Sequence, residues 1–270
     1  MSFYTTVARY YDAEHVDKTD DLIMYSTLAE QYGGPIFEFG CGTGRVMLHL
    51  AQEGYTIHGI DLEAAMLDRA KLKAETLPHL GDKMQFFQGD ILKYKSDQRY
   101  KMVLVTYNGL LHFHTQEQQL ELLGRLRALV DDDGVLVLDM PNPGDSFGAQ
   151  ETDALILDKT FLDPESGHLL MQYSVSQLDR TEQLLHVTWI YDEVDGDGMV
   201  HRTLAPVTWR YVFYAELRLL LALTGFEVSD VYGDTDFGPY EDGCERMIVV
   251  AKRSAKYRVK CEELFIEASF

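Results

Sequence analysis

Short apolar runs alternate with segments of helical periodicity over the first half of the chain. The runs at 35–37, 55–60, 84–87, 100–105 and 134–139 are typical of buried strands, and apolar residues recur at helical spacing between them. This alternation predicts a parallel sheet with right-handed crossover connections. Ligands of such sheets bind beyond the carboxyl ends of the strands, so residues that follow a run are the first candidates for a site.

Two of the predicted helices have clear end signals. Thr19, followed by two acidic residues, predicts the start of a helix, and Gly33-Gly34 predicts its end. A second helix over 115–130 is expected to end in a turn at 131–134, where three Asp residues precede a Gly.

The pattern changes after Pro141. From about 155 to 214, apolar and polar residues alternate with period two, which predicts an antiparallel meander of about three strands. Helical spacing returns at 215–224, and two further apolar runs follow at 226–228 and 247–251.

These changes divide the chain into four parts. We expect an N-terminal arm and helix at 1–34, a core at 35–145 and 215–252, an inserted antiparallel β cap at 146–214, and a C-terminal tail at 253–270. A chain of 270 residues can bury about three quarters of its unfolded surface, so one domain with an insertion is sufficient.

A glycine-rich turn joins the first predicted strand to the helix that follows. Glu38, Gly40, Gly42 and Gly44 fall at alternate positions there. Glycine allows positive φ angles and close approach of a ligand, and the helix start offers free N–H groups and a positive dipole end. The turn therefore predicts a site for a nucleotide-like cofactor.

Asp61 ends the second apolar run, 17 residues after Gly44. A carboxylate at the tip of the second strand accepts hydrogen bonds from both ribose hydroxyls of an adenosine group. The alternative is that Asp61 caps the helix that begins near Glu63. The glycine turn at this distance favours ribose binding.

The spacing E-x-G-x-G-x-G differs from the dinucleotide fingerprint and resembles motif I of the class I S-adenosylmethionine-dependent methyltransferases. The segments 59–67, 88–91 and 103–109 are similar to that family's second-strand, third-strand and motif IV segments. The resemblance covers about 35–140, with a weaker echo at 208–252. It implies an α/β fold with a Rossmann-like class I methyltransferase sheet, which is mostly parallel and ends in an antiparallel strand pair. The antiparallel β-meander is an insertion in this fold. It implies S-adenosylmethionine as cofactor and leaves the methyl acceptor open.

The resemblance assigns cofactor contacts to residues on these motifs and on the N-terminal arm. In similar enzymes an aromatic arm closes over the cofactor as a lid; Tyr11 is expected to approach it, unless it only packs the arm, and Lys18 could reach its carboxylate. Asp90 is expected to hold the adenine amino group. The full set is Tyr11, Lys18, Glu38, Gly40, Cys41, Gly42, Gly44, Arg45, Asp61, Leu62, Met66, Asp90, Ile91 and Tyr107.

Candidate catalytic residues are His112, Tyr107 and Tyr11. Methyl transfer depends mainly on alignment of the reacting groups, and a general base is needed only for a protonated or weak nucleophile. The loop that holds Tyr107 and His112 lies against the methyl end of the cofactor in similar enzymes. A histidine in the apolar run 110–113 is also explained as a packed, hydrogen-bonded residue.

Candidate substrate residues are Asn108 in the same loop, and Arg210 with Tyr211 in the inserted segment. Arg210 could pair with an acidic group of the acceptor. The strand-rich insertion, followed by Arg210-Tyr211 and Glu216-Leu217, resembles enzymes that methylate amino groups of small metabolites. The resemblance therefore favours nitrogen over oxygen as the acceptor atom.

Composition excludes several classes of protein. The net charge of −20 argues against a nucleic acid partner, because phosphate binding needs a basic face. Apolar runs are too short for a membrane span, the N-terminus lacks signal-peptide features, and the three cysteines form no metal pattern. We expect a cytoplasmic protein without a metal or a membrane partner. The inserted sheet is expected to cap a pocket, to form a homodimer face, or to do both.

The sequence thus predicts an S-adenosylmethionine-dependent methyltransferase that acts on a small-molecule acceptor. Two alternatives stay open at this point. One is a non-catalytic S-adenosylmethionine-binding regulatory module, because the motifs indicate binding and not turnover. The other is an NAD-dependent oxidoreductase, against which the glycine spacing speaks.

Overall fold

The structure is a computed structural model that describes residues 2–144 and 152–254. Most of the tail predicted at 253–270 therefore lies outside the described residues. The helices are α1 Phe3–Glu14, α2 Asp20–Tyr32, α3 Arg45–Gln52, α4 Ala64–Glu75, α5 Gln116–Leu129 and α6 Tyr214–Leu223, with short 3₁₀ turns at Pro78–Lys83 and Gly109–His112.

One sheet of seven strands forms the centre of the fold. Its strands are β1 Ile36–Phe39, β2 Ile57–Asp61, β3 Met84–Gln88, β4 Tyr100–Val105, β5 Val130–Pro141, β10 Phe226–Tyr232 and β11 Arg246–Arg253. Their order is β10-β11-β5-β4-β1-β2-β3, and the pairs among β1 to β5 are parallel. Strand β11 is antiparallel to both β5 and β10, which confirms the expected terminal strand pair.

Helices cover both faces of this sheet, which explains why β4 has an almost uninterrupted apolar sequence. Val103 and Val105 point to the face covered by α5, where they share a core with Leu122. Met102 and Leu104 point to the other face and join the core that includes residues of α2.

A separate antiparallel sheet forms the inserted part. It consists of β6 Thr152–Leu162, β7 Leu169–Asp179, β8 Leu184–Val194 and β9 Val200–Arg210, in that order. The sequence predicted about three strands, and the structure has four. The reason is that β6 carries consecutive apolar residues at 155–157 and so lacks the strict alternation of its neighbours.

The segment predicted as a turn at 131–134 lies within strand β5, which begins at Val130, and interrupts its pairing with β4. Tyr100 and Met102 pair with Val130 and Val135, so the four residues 131–134 oppose one residue of β4. Lys101 of β4 forms ion pairs with Asp131 (3.0 Å) and Asp133, and Arg99 pairs with Asp132. Cations on the neighbouring strand thus balance an acidic run that, viewed alone, is typical of a turn.

Helix α1 joins the two sheets. Val7 and Tyr10 pack on the inserted sheet in a core with Leu170 and Tyr191, and the rings of Tyr10 and Tyr191 stack at 4.9 Å between centroids.

On the side of the large sheet, Asp12 fastens α1. It accepts hydrogen bonds from Thr43 (2.7 Å), Lys73 (2.9 Å) and Arg69 (3.1 Å). Burial alone would raise the pKa of Asp12, but these bonds outweigh burial and hold that pKa below its usual value. The arm predicted from the sequence is therefore a helix attached on two sides.

No helix within residues 2–144 and 152–254 is long and apolar enough to cross a membrane.

Candidate active site

A cavity of about 470 Å³ lies beyond the carboxyl ends of β1, β2, β3 and β4. Residues of α1 form one wall, the loop that follows β4 forms another, and Val207 of the inserted sheet closes part of the rim. This is the edge of the sheet at which the strand pattern predicts a ligand.

The glycine turn has the geometry that the sequence predicts. Gly42 and Gly44 have φ angles of 53° and 76°, in the left-handed region that L-residues rarely adopt. A Cβ on Gly44 would lie 3.1 Å from Cβ of Ala70, so this position also needs glycine for the close packing of α4. The N–H of Gly42 donates to Oδ2 of Asp61 at 2.8 Å, which connects the turn to the tip of β2.

Asp61 lies at the cavity wall next to the start of α4. Its Oδ1 accepts the N–H of Glu63, the residue before α4, at 2.9 Å, and its side chain lines the cavity. Burial raises the pKa of Asp61, although the bonds from Glu63 and Gly42 act in the opposite direction. The carboxylate is thereby held in a fixed orientation at the cavity wall.

Glu38 carries an unpaired carboxylate oxygen in the cavity wall. The residue is 2% exposed, and its Oε1 accepts the hydroxyl of Thr106 at 2.9 Å. Its Oε2 is buried without a partner in the described part of the chain. Burial raises the pKa of Glu38 to about 8. A buried orphan oxygen of this kind is suited to a cationic group of a ligand, which would restore the missing hydrogen bond.

Two cations, Arg45 and Lys18, line the same cavity as Glu38. Arg45 binds Asp21 through two hydrogen bonds of 2.6 Å and donates a third to the carbonyl of Lys18 at 2.9 Å. Its charge is therefore balanced within the protein. The ammonium of Lys18 lies 4.7 Å from the centre of the Tyr107 ring and 3.9 Å from Asp21.

Asp90 lies in the cavity wall after β3. Its Oδ1 accepts the N–H of Leu92 at 2.9 Å, and its Oδ2 is 3.4 Å from the ammonium of the exposed Lys93. Glu38, Asp61 and Asp90 thus lie at or just beyond the carboxyl ends of three adjacent strands, β1, β2 and β3, and all three line one cavity.

The other end of the cavity holds a hydrogen-bonded tyrosine–histidine pair. The hydroxyl of Tyr4 lies 2.8 Å from Nε2 of His112. Burial, with a smaller effect of His114, lowers the pKa of His112 to about 4, so the imidazole is neutral at physiological pH. Asn108 precedes His112 in the loop that follows β4, and it also lines the cavity. Its Oδ1 is buried without a partner among the described residues.

Tyr11 and Tyr107 complete the aromatic wall. The ring of Tyr11 stacks on His15 at 4.3 Å, and the ring of Tyr107 meets His15 edge-on at 5.7 Å. Tyr107 has a φ of 60°, a left-handed conformation that is unusual for a large side chain. Burial raises the pKa of both tyrosines.

The structure brings most of the predicted site residues to this cavity. All predicted cofactor residues line it except Gly44, which lies directly behind it at the start of α3, and Asn108 and His112 line it as well. Arg210 and Tyr211 do not line the cavity. Arg210 is buried and donates to Gln119 (2.9 Å), Gln183 (3.2 Å) and Glu216 (2.7 Å), contacts that fasten the inserted sheet to α5 and α6.

For several of the residues that line the cavity, no sequence pattern indicates that they belong to the site. Ser2, Phe3, Tyr4 and His15 reach the cavity only because α1 folds over it. The tyrosine-rich composition of the arm pointed to this segment, but nothing in the sequence distinguished Tyr4 from the other tyrosines.

We expect Glu38→Gln to change the pH dependence of stability. A folded-state pKa of about 8, against 4.5 for an ordinary glutamate, means that Glu38 stabilises the fold below pH 4.5 and that this contribution is lost as the pH rises towards 8. The slope for one proton is up to about 1.4 kcal/mol per pH unit. Urea unfolding from pH 5 to 8 should therefore show a flatter profile for Glu38→Gln. The exposed Glu75→Gln serves as the control and should keep the wild-type slope.

The glycine turn, the acids at the strand ends and the cavity have the arrangement that the sequence predicts for a methyltransferase cofactor site. Comparisons with known proteins also point to methyltransferases. Residues 36–134 match the family model of a methyltransferase domain. A putative methyltransferase of Geobacillus is 27% identical over 232 residues, which are 83% of this chain and 88% of that protein. The cypemycin N-terminal methyltransferase of Streptomyces is 24% identical over 221 residues, which are 82% of this chain and 84% of that protein.

The fold is shared with a solved methyltransferase structure. The CcbJ methyltransferase of Streptomyces caelestis superimposes with a TM-score of 0.73 at 24% identity, over 93% of this chain and 99% of that chain. The matched domain and the sequence relatives support an S-adenosylmethionine-dependent methyltransferase, and the solved structure shows that the fold is that of a class I methyltransferase. The alternative of an NAD-dependent oxidoreductase receives no support.

Proposed function

We propose that this enzyme transfers the methyl group of S-adenosylmethionine to the amino nitrogen of a small molecule. The observation that carries the proposal is the neutral end of the cavity, where the unpaired Oδ1 of Asn108 lies in the same wall as the Tyr4–His112 pair. The name of one relative, the cypemycin N-terminal methyltransferase, denotes an amine acceptor and supports the choice of nitrogen.

The other end of the cavity fits the cofactor. Asp61 would accept hydrogen bonds from the ribose hydroxyls, and Asp90 would hold the adenine amino group. The orphan Oε2 of Glu38 would bind the ammonium group of the methionine part, and Lys18 is the cation available for its carboxylate. The bound cofactor supplies a methyl group already activated on a sulfonium. The protein therefore needs to align the acceptor and exclude water, more than to perform acid–base chemistry.

Seven of the cavity-lining residues carry no charge at neutral pH, and we assign them to the acceptor: Ser2, Phe3, Tyr4, Asn108, His112, Phe113 and Val207. An acceptor with a buried, unpaired charge would be costly there, so an amine is expected to enter as the free base. Its N–H can donate to Oδ1 of Asn108, which leaves the nitrogen lone pair free to attack.

Tyr4 and His112 are suited to orient the acceptor. In the tautomer with an unprotonated Nε2, the Tyr4 hydroxyl donates to His112 and its oxygen remains an acceptor. No base is needed for the transfer, because the free amine gains the methyl group as the bond from methyl to sulfur breaks, and the product nitrogen leaves as an ammonium ion. We assign packing and water exclusion to Tyr11 and Tyr107, because their raised pKa values keep both phenols protonated and so unable to accept a proton. Arg210 has no role in acceptor binding in this proposal.

A panel of paired acceptors tests the proposal. Each pair shares a carbon skeleton and differs in one group, for example glucosamine with glucose and ethanolamine with ethylene glycol. We expect formation of S-adenosylhomocysteine, measured by mass spectrometry, with amines and not with their alcohol partners. Asp61→Ala should abolish the product, and the exposed Asp68→Ala on α4 should not.

Two results would contradict the proposal in different ways. Turnover with alcohols alone would show an oxygen acceptor. Tight binding of S-adenosylmethionine without turnover across the panel would favour the non-catalytic binding module.

A further inference from the structure

The outward face of the inserted sheet carries a row of apolar side chains across all four strands. Leu157 pairs with Tyr173, Tyr173 with Ile190, and Ile190 with Leu204. Paired residues in an antiparallel sheet lie on the same face. The adjacent residue Tyr191 packs against α1, so this row points away from α1 and from the rest of the fold.

A second apolar row lies on the same face, four residues further along β7, β8 and β9. It consists of Leu162, Leu169, Val194 and Val200, again in direct register. Antiparallel sheets that face water normally carry polar residues on that side. Apolar rows on both faces are instead the pattern of a sheet that is covered on both sides.

This face carries a third of the exposed large apolar residues of the described chain. Five of the fifteen belong to its two rows: Leu157, Leu162, Leu169, Val200 and Leu204. Leu204 is 57% and Leu162 65% exposed. Contiguous apolar patches of this kind mark interaction sites in folded proteins.

Charge on this face is balanced, in contrast to the rest of the chain. Asp192 and Arg202 lie between the two apolar rows and form an ion pair at 2.6 Å. The whole chain has a net charge of −20, so two copies repel each other over most of their surfaces. The balanced face is one through which a second copy can approach at low electrostatic cost.

The size of the face suits a dimer. Four strands spaced about 4.8 Å apart, each of 11 residues rising about 3.4 Å, present roughly 700 Å² per copy. Two such faces bury roughly 1,400 Å², within the range of about 1,200–2,000 Å² for stable specific interfaces. A twofold axis would place the same rows against each other, and stacked sheets pack at about 10 Å.

We propose that the outward face of the inserted sheet is the contact surface for a second copy of this chain. The dimer stacks the two inserted sheets face to face. The proposal does not depend on the identity of the methyl acceptor, since it rests on the sheet alone.

Sedimentation velocity on the full-length protein tests the proposal. We expect the wild type to sediment as a dimer at micromolar concentration. Ile190→Lys places a charge in the centre of the face and should give a monomer. Leu204→Lys, at an already exposed position on the edge strand β9, should shift the equilibrium to monomer without affecting folding, which circular dichroism checks.

The matched control is Leu219→Lys on α6, which is 67% exposed and outside the inserted sheet. It should remain a dimer. A monomeric wild type at 100 μM would overturn the proposal, and so would dimers of both sheet variants. A monomer that instead binds a different protein through this face would also overturn it.

Discussion

Asp61→Ala is expected to weaken binding of S-adenosylmethionine by about 100-fold or more. Asp61 lines the cavity with a carboxylate fixed by the N–H groups of Gly42 and Glu63. Each hydrogen bond to a charged group contributes about 1.5–3 kcal/mol, and two ribose hydroxyls would use this carboxylate. Isothermal titration calorimetry with S-adenosylmethionine and S-adenosylhomocysteine measures the loss.

Two comparisons make this result specific. The exposed Asp68→Ala should bind like the wild type, and Asp61→Asn should lie between the wild type and Asp61→Ala, because the amide oxygen still accepts one bond. NAD serves as a third ligand and should not bind. Unchanged affinity in Asp61→Ala, with unfolding like that of the wild type, would show that the ribose lies elsewhere.

Asp139→Ala is expected to lower the free energy of unfolding by about 3–5 kcal/mol. Asp139 of β5 is 1% exposed and accepts hydrogen bonds from the hydroxyl of Tyr25 (2.7 Å) and from Nε of Arg246 (2.9 Å). Removal of one partner of a buried ion pair leaves an uncompensated charge, which accounts for a loss of this size. Urea unfolding measures it directly.

The same variant should also disturb the cavity. The guanidinium of Arg246 lies 5.7 Å from the centre of the Tyr107 ring, so a displaced Arg246 affects the aromatic wall. The control is Asp132→Ala, which removes the exposed partner of Arg99 and Arg253; exposed pairs of this type contribute at most about 1 kcal/mol. Similar losses for Asp139→Ala and Asp132→Ala would show that the buried pair adds no stability beyond an exposed one.

Much of the cofactor end could be predicted because its determinants are local. The turn from β1 to α3 requires glycine at every second position, and Gly42 and Gly44 adopt the positive φ angles expected there. Asp61 and Asp90 could be predicted because they lie where the apolar runs of β2 and β3 end. Parallel strands place their carboxyl ends at one edge, so sequence order alone brought these acids together.

The acceptor end could not be predicted in the same way. Tyr4 and His112 are 108 positions apart, and their hydrogen bond depends on how α1 lies across the sheet. Arg210 is the opposite case, a residue that the sequence analysis assigned to the substrate but that does not line the cavity. An arginine beside aromatic residues indicated a substrate contact, but three polar partners from other parts of the chain surround its guanidinium.

Five expectations stay predictions: the four-part division of the chain, the role of each site residue, the homodimer, the absence of a nucleic acid partner and the cytoplasmic location.

The sequence by itself determined the alternation of strands and helices in the parallel half, the glycine turn and the acids at the strand ends. Each of these depends on backbone conformation and on short-range spacing, which residues close together in the sequence determine. The tertiary structure alone decided which side chains close the cavity, because α1, the loop after β4 and Val207 meet only after the two sheets have packed around α1. The burial of Glu38 and His112, and with it the change in their pKa values, is a result of that same packing.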